Sequence, residues 1–385
     1  MHCWKRWAAT MMVALCLSCV ARAADHEAAR PVLALDAAAG KLYRLDGGSF
    51  DLLRQTDFGY PVNDAIAVAP DGGAAFLSSP QGWVVKLDLH GGQTRAARVA
   101  QETAALALSH DGRYLMAANR APGTLVALDA GTLAPLRVQE AKDKQGKASA
   151  VADVRTLPGR SSFIAVMRDI PELWELSYDE RAEPIFEGLV HDYKMGEGIA
   201  LKGPFPPRRT LLDPPLAHFH FDPSSAHVVG AGPGGLLQVI HLDIRRKIRE
   251  LRLDGAARPD QGVRVDWQGG PALLLPHQDG ALLSVLDLRA WRVLRQLPGG
   301  AAIRRLVSHD RAAHVWAVGE DGRVRILDKR SLMFLPAISS ALANASAPLA
   351  WAQDGKFAIL RERGGEALLV CDAATLEIVK RVPLH

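Results

Sequence analysis

The sequence predicts an all-β fold, an eight-bladed β-propeller, and three observations carry that expectation. Short apolar runs ending in Leu-Asp or a close variant recur at Asp46, Asp88, Asp129, Asp243, Asp287, Asp328 and Asp372, with gaps of 42, 41, 114, 44, 41 and 44 residues. A second marker lies upstream of several of them: Ala69-Pro70-Asp71-Gly72, Ser109-His110-Asp111-Gly112, Ser308-His309-Asp310-Arg311 and Ala352-Gln353-Asp354-Gly355. Asp-Gly signals a tight hairpin, and it falls between alternating apolar stretches such as 104–108 and 114–118. A period in the low forties, with four short strands per unit, is the signature of a propeller.

The units follow in order, near 32–56, 63–100, 104–141, 148–189, 217–255, 262–300, 301–340 and 347–385. The first is about half length, and strands from the C-terminal end are expected to complete it and close the ring. The 114-residue gap holds one unit without the Leu-Asp marker, containing the strand Leu173-Trp174-Glu175-Leu176-Ser177, and an insertion at about 190–216. Pro204-Phe205-Pro206-Pro207 cannot sit in a central strand, and Gly196 and Gly198 favour a loop. Adjacent Arg208 and Arg209 fit a carboxylate clamp, because guanidinium forks match carboxylates bidentately; the alternative is a solvated linker.

Residues 1–23 read as a secretory signal. Lys5 and Arg6 supply the positive start, Ala8 to Val20 the apolar core, and Ala21-Arg22-Ala23 the small residues of a cleavage site. Residues 24–385 are then the propeller, and the expected compartment is the periplasm. Cys19 after Leu17-Ser18 resembles a lipoprotein site, but Cys16 stands where a Leu is usual, so membrane attachment is expected only if Cys19 is lipidated. The formal charge of +4 includes Lys5, Arg6 and Arg22 with no acid among the first 23 residues, so the rest carries +1. That balance excludes a nucleic-acid-binding protein. Cys371 is the sole cysteine after residue 23 and reads as a buried strand residue. No Cys-x-x-Cys-His occurs, so no covalent haem c is expected.

Several stretches resemble the haem d1 propeller family, the cytochrome d1 domain. They are Val190-His191-Asp192-Tyr193-Lys194-Met195-Gly196-Glu197-Gly198, the Pro-Phe-Pro-x-Arg-Arg that ends at Arg209, and Phe219-x-Phe-Asp222. Ile240-His-Leu-Asp243-x-Arg-Arg-Lys-Ile, Leu327-Asp328-Lys-Arg-Ser-Leu and Asp372-Ala-Ala-Thr-Leu-Glu add to them. The similarity spans nearly the whole propeller and is nearest to the NirF type, periplasmic haem d1 biosynthesis proteins lacking a c-haem domain. It implies an eight-bladed ring that binds haem d1 or its dihydro precursor over the central channel during nitrite reductase maturation. Nitrite reductase and other maturation proteins are the implied partners.

By the resemblance, His309 in Ser308-His309-Asp310 matches a distal histidine and would be the metal ligand, and His277 matches a second one. Each has a plain alternative as a turn histidine. Arg258 stands where the family has another distal histidine and could pair with a tetrapyrrole carboxylate. Asp64 stands where the axial histidine is usual. His191, Lys194, Arg208 and Arg209 complete the expected cofactor-binding set. No catalytic residue is assigned, and a late dehydrogenase-like step is the activity class implied. His218 and His220 point to one face of their strand, either as a metal-ligating pair or as a polar strand face. The departures from the family ligands leave a second reading open, a propeller without cofactor that serves as a protein-interaction scaffold.

Overall fold

The computed structural model describes residues 30–187, 199–200, 204–278, 280–336 and 339–384. Their order is almost wholly antiparallel strand, with one single-turn helix at Ser340–Ala343. Among the described residues eight blade sheets follow one another along the chain, six four-stranded and two three-stranded, and a ninth, two-stranded sheet pairs Phe186–Glu187 with Ile199–Ala200. Each four-stranded sheet keeps sequence order from inner to outer strand, as in blade 2 (Ile66–Val68, Ala74–Ser78, Trp83–Asp88, Thr94–Arg98). The two middle strands of each blade are nearly continuous runs of buried residues. Val85 and Leu87 of blade 2 pack with Leu35 and Leu42 of blade 1, for example.

The Leu-Asp repeat has a local cause. The repeat Asp accepts hydrogen bonds from backbone N–H groups of the turn that follows at Asp46, Asp88, Asp129, Asp287, Asp328 and Asp372, whereas Asp243 pairs with Arg160. Asp88 Oδ1 accepts from His90 and Gly91 at 2.8 and 2.9 Å, and Asp372 Oδ1 from Ala374 and Thr375 at 2.9 and 3.0 Å. This is an Asx turn. Four residues past the Asp the chain turns left-handed, at Phe50, Gly92, Leu133, Trp291, Leu332 and Leu376. An L residue is strained there. At Leu133 and Leu332 the cost is offset by burial, at 5% and 2% exposure.

Three sequence expectations meet a different arrangement. The first blade (Val32–Asp36, Lys41–Leu45, Leu52–Asp57) receives no strand from the C-terminal end, because Ile378–Pro383 pairs with Ala367–Asp372 inside blade 8. Its Leu-Asp marker ends its middle strand, so the strand it lacks among the described residues is the inner one. Side chains close the ring instead. Arg361 of blade 8 pairs with Asp36, Lys380 Nζ donates to Asp51 and to the Ser49 carbonyl at 2.6 Å each, and Phe357 packs edge-on against Phe50. Second, the insertion ends earlier than 216: Pro207–Leu211 is the outer strand of blade 4 (Val151–Leu157, Ser162–Met167, Glu172–Ser177). A proline is tolerated there because it opens an edge strand. Third, blade 7 (Ile303–Val307, His314–Gly319, Val324–Asp328) has no fourth strand among the described residues. Phe334 bridges to Leu327 in its place.

Cys371 is fully buried, and desolvation pushes its thiol up to about 12, as expected of an inert strand residue. A thiol reagent should therefore leave the Cys371 peptide unlabelled in the native protein and label it in 6 M guanidinium. Removing one turn carboxylate, Asp129→Ala, should lower the unfolding free energy by roughly 1 kcal/mol in urea titration. A melt unchanged from the parent would deny the Asx turn a stabilising role.

Candidate functional site

The inner strands of blades 2 to 8 run in the same sense along the ring axis, which sorts the loops between two faces. The mouth face holds the starts of the inner strands and the turns joining second to third strands. The far face holds the turns joining first to second strands. His309 lies in the turn after Ile303–Val307 and is therefore on the far face, whereas His277 follows Gly270–Pro276 and lies on the mouth face. A five-residue strand separates the faces by about 17 Å. The two histidines expected near one macrocycle do not converge.

Their surroundings sharpen the correction. His277 is 1% exposed, with Nδ1 on the Asp254 carbonyl and Nε2 on Ser284 Oγ, both at 2.8 Å. Both ring nitrogens already have protein partners, which is the turn-histidine alternative. His309 is half-buried over Gly355, where a Cβ would fall 2.1 Å from its Nδ1, and that nitrogen accepts the Arg311 N–H at 3.3 Å. Gly355 also has a φ of 82°, so both the backbone and the imidazole require glycine there.

The Arg208–Arg209 clamp is also overturned, because consecutive strand residues face opposite sides. Arg209 lies over the Trp174 ring at 4.7 Å, 3.4 Å from the buried Glu172 carboxylate and 3.0 Å from the Lys142 carbonyl. It is a structural cation. Arg208 instead lines a 690 Å³ cavity on the flank of blade 4 with Tyr178 and Phe205. His191 and Lys194 lie outside the described residues.

The mouth face gathers a different set. A cavity of 1040 Å³ opens where blades 7, 8, 1 and 2 meet, beside the position of the missing inner strand of blade 1. Its polar lining is dominated by Arg304, Arg305, Arg361 and Arg363, its apolar floor by Val307, Val318, Ile66 and Trp351. Arg304 and Arg305 both reach it because the strand register shifts between Ile303 and Arg305, a bulge that re-aims a side chain. Arg305 sits 3.6 Å from Asp64, and burial lowers its pKa without discharging it. Arg361 is held by Asp36 and Arg363 by the Gly322 carbonyl. Arg304 is exposed and has no ion pair among the described residues. Four cations stand against three carboxylates, Asp36, Asp64 and Glu362, the last of which is paired with Arg381 outside the lining, so the balance favours an anion, and Trp351 offers a flat aromatic face.

Beside the cavity, the channel wall carries a second polar group. His218 Nδ1 stands 3.5 Å from Asp260 Oδ1, and Arg258 reaches Asp260 Oδ2 at 3.1 Å. Arg258 thus lies on the mouth face, already paired, with its Nε buried and unpartnered. Asp153 is raised by burial and paired with Arg155 at 2.9 Å. Burial, aided by the Arg155 and Arg264 charges, pushes His220 down to about 4. The two histidines do share one face, but no group of three or more metal-ligating side chains forms among the described residues.

Sequence reasoning missed Arg304, Arg305, Arg361 and Arg363. The available signal was a basic pair opening the seventh unit and an Arg-Glu-Arg-Gly-Gly turn in the eighth.

Comparisons with known proteins agree with this architecture. The family described as Cytochrome D1 heme domain matches residues 32–190. The dihydro-heme d1 dehydrogenase of Pseudomonas aeruginosa is 29% identical over 351 residues, which is 89% of this chain and 66% of that protein. The protein NirF of Stutzerimonas stutzeri is 24% identical over 72% of this chain and 69% of its own length. The chain therefore spans about two thirds of the curated relatives it matches. A solved structure, the dihydro-heme d1 dehydrogenase NirN in complex with DHE, superposes with a TM-score of 0.79 at 28% identity, over 92% of this chain and 73% of that one.

The depressed pKa of His220 has a consequence for stability. The unfolded chain binds a proton near pH 6.5 that the folded one refuses until about pH 4, so stability is lost as pH falls through that window. The loss should reach up to about 3 kcal/mol. His220→Asn should flatten the pH dependence of the urea midpoint between 6.5 and 4; an unchanged slope would remove His220 as its source.

Proposed function

We propose that the protein, which belongs to the cytochrome d1 haem-domain family, binds haem d1 or its dihydro precursor in the mouth cavity during haem d1 biosynthesis. The observation that carries this reading is the set of four guanidiniums around one 1040 Å³ cavity at the channel mouth. Small-molecule sites run to roughly 1,000 Å³, so the space suits a macrocycle. Acidic tetrapyrrole side chains need several fixed cations, and Arg304, Arg305, Arg361 and Arg363 would receive them. Trp351 and the aliphatic floor would take the ring face. Asp36 and Asp64 hold Arg361 and Arg305 in place and face the anion less favourably, which limits how many carboxylates the site accepts.

Binding is non-covalent in this reading, since the chain has no Cys-x-x-Cys-His sequence. The iron would supply redox chemistry when the tetrapyrrole is bound; the chain supplies placement and charge. The His309 ring stands 5.9 Å from that of Trp351, behind the lining, so in this reading the arginines and not His309 hold the tetrapyrrole; no histidine lines the cavity among the described residues. That same feature favours the second reading, a propeller scaffold that has lost its cofactor. Export to the periplasm rests on the first 23 residues, and nitrite reductase and other maturation proteins are the proposed recipients. Oxidation of the dihydro precursor is the activity named for a relative, and it comes to this chain only as a proposal.

Titration with haem d1, followed by visible absorption, separates the two readings. The parent protein should show saturable band shifts at micromolar ligand. Arg304→Gln should weaken binding roughly tenfold, as expected for the loss of one charged hydrogen bond. His309→Ala should leave the bands unchanged. A flat titration of the parent would establish the scaffold reading, and altered bands in the His309 variant would return the site to the far face.

A further inference from the structure

The rim of the ring carries charge that the mouth cavity does not use. The outer strand of blade 5, Arg246–Arg252, reads Arg-Lys-Ile-Arg-Glu-Leu-Arg, and Arg245 precedes it. The outer strand of the adjacent blade 6, Arg292–Pro298, adds Arg292 and Arg295. Arg245, Arg246, Arg249, Arg252 and Arg295 are exposed and have no hydrogen bond or ion pair among the described residues, while Arg292 touches Asp287 at 3.9 Å. Between them Ile244 and Ile248 stand 57% and 42% exposed.

Edge strands often carry a cation that blocks pairing with another sheet. One or two serve elsewhere on this rim: Leu52–Asp57 and Pro135–Glu140 have one Arg each, Thr94–Arg98 and Pro207–Leu211 two Arg, and Ile378–Pro383 one Lys and one Arg. The outer strand of blade 5 carries four, twice the most found on those strands, and Arg245 precedes it, within a chain whose formal charge is only +4.

We propose that the rim of blades 5 and 6 docks on an anionic lipid surface. A ring lying edge-on meets a plane through about two adjacent blades, which is the extent of the basic patch. Guanidiniums without partners suit phosphate headgroups, and the isoleucines among them suit the acyl boundary, the pairing that holds peripheral proteins at an interface. The patch is a convex edge without a pocket, which favours a plane over a shaped acidic protein. Among the described residues no helix is long and apolar enough to cross a membrane, so the contact is peripheral.

The test is vesicle co-sedimentation of the purified full chain carrying Cys19→Ser, so that no acyl group contributes. The protein should pellet with phosphatidylethanolamine–phosphatidylglycerol vesicles in low salt, and stay soluble with phosphatidylcholine. In 0.5 M NaCl the binding should vanish, because charges are then screened over a few ångströms. R246Q/R249Q/R252Q should lower the partition coefficient roughly a hundredfold, at about fivefold per charge, with the circular dichroism spectrum and haem titration unchanged. Ile248→Ser should lower it severalfold in low salt, where the parent binds. Failure of the parent to bind anionic vesicles would overturn the proposal in favour of an acidic protein. Equal binding to phosphatidylcholine, or a triple variant that pellets like the parent, would overturn it too.

Discussion

Everything functional in this molecule depends on one geometric constraint: the inner strands of blades 2 to 8 start at the same end of the ring. That common polarity decides which loops can meet. Residues adjacent in a repeat unit are delivered to opposite faces, and residues 300 positions apart are brought to the same mouth. Asp36 and Arg361 are the clearest case, lying in the first and last blades and closing the ring as a buried ion pair. Breaking such a pair would leave an uncompensated buried charge, usually a loss of several kcal/mol.

The same closure creates the site. With no inner strand in blade 1 among the described residues, the short inner strands Ala350–Ala352 and Ile66–Val68 flank a gap instead of a filled wall. The cavity occupies that region. The bulge in blade 7 then aims two successive arginines into it. Stability and function are coupled through Arg361, which both closes the ring and lines the cavity.

The repeats were legible because their cause is local. An Asp that accepts two turn N–H groups must recur wherever the turn recurs, so Asp46 through Asp372 announce the blades directly. The cofactor residues were not legible in that way. Whether His277 and His309 share a site depends on strand direction, and both sit in similar Gly/Asp turns on opposite faces. Arg208 and Arg209 follow a proline-rich stretch that resembles a loop, yet they form an edge strand whose alternation separates them. Arg304 and Arg305 share a site only because of a bulge, which periodicity conceals. Arg258 is paired with Asp260 through a turn that spacing does not reveal.

A crystal structure of the protein with haem d1 bound tests the central claim most directly. The macrocycle should lie in the mouth between blades 7, 8, 1 and 2, with its carboxylates on Arg304, Arg305, Arg361 or Arg363 and its ring against Trp351. A macrocycle found on the far face against His309, or in the flank cavity beside Arg208, would contradict it.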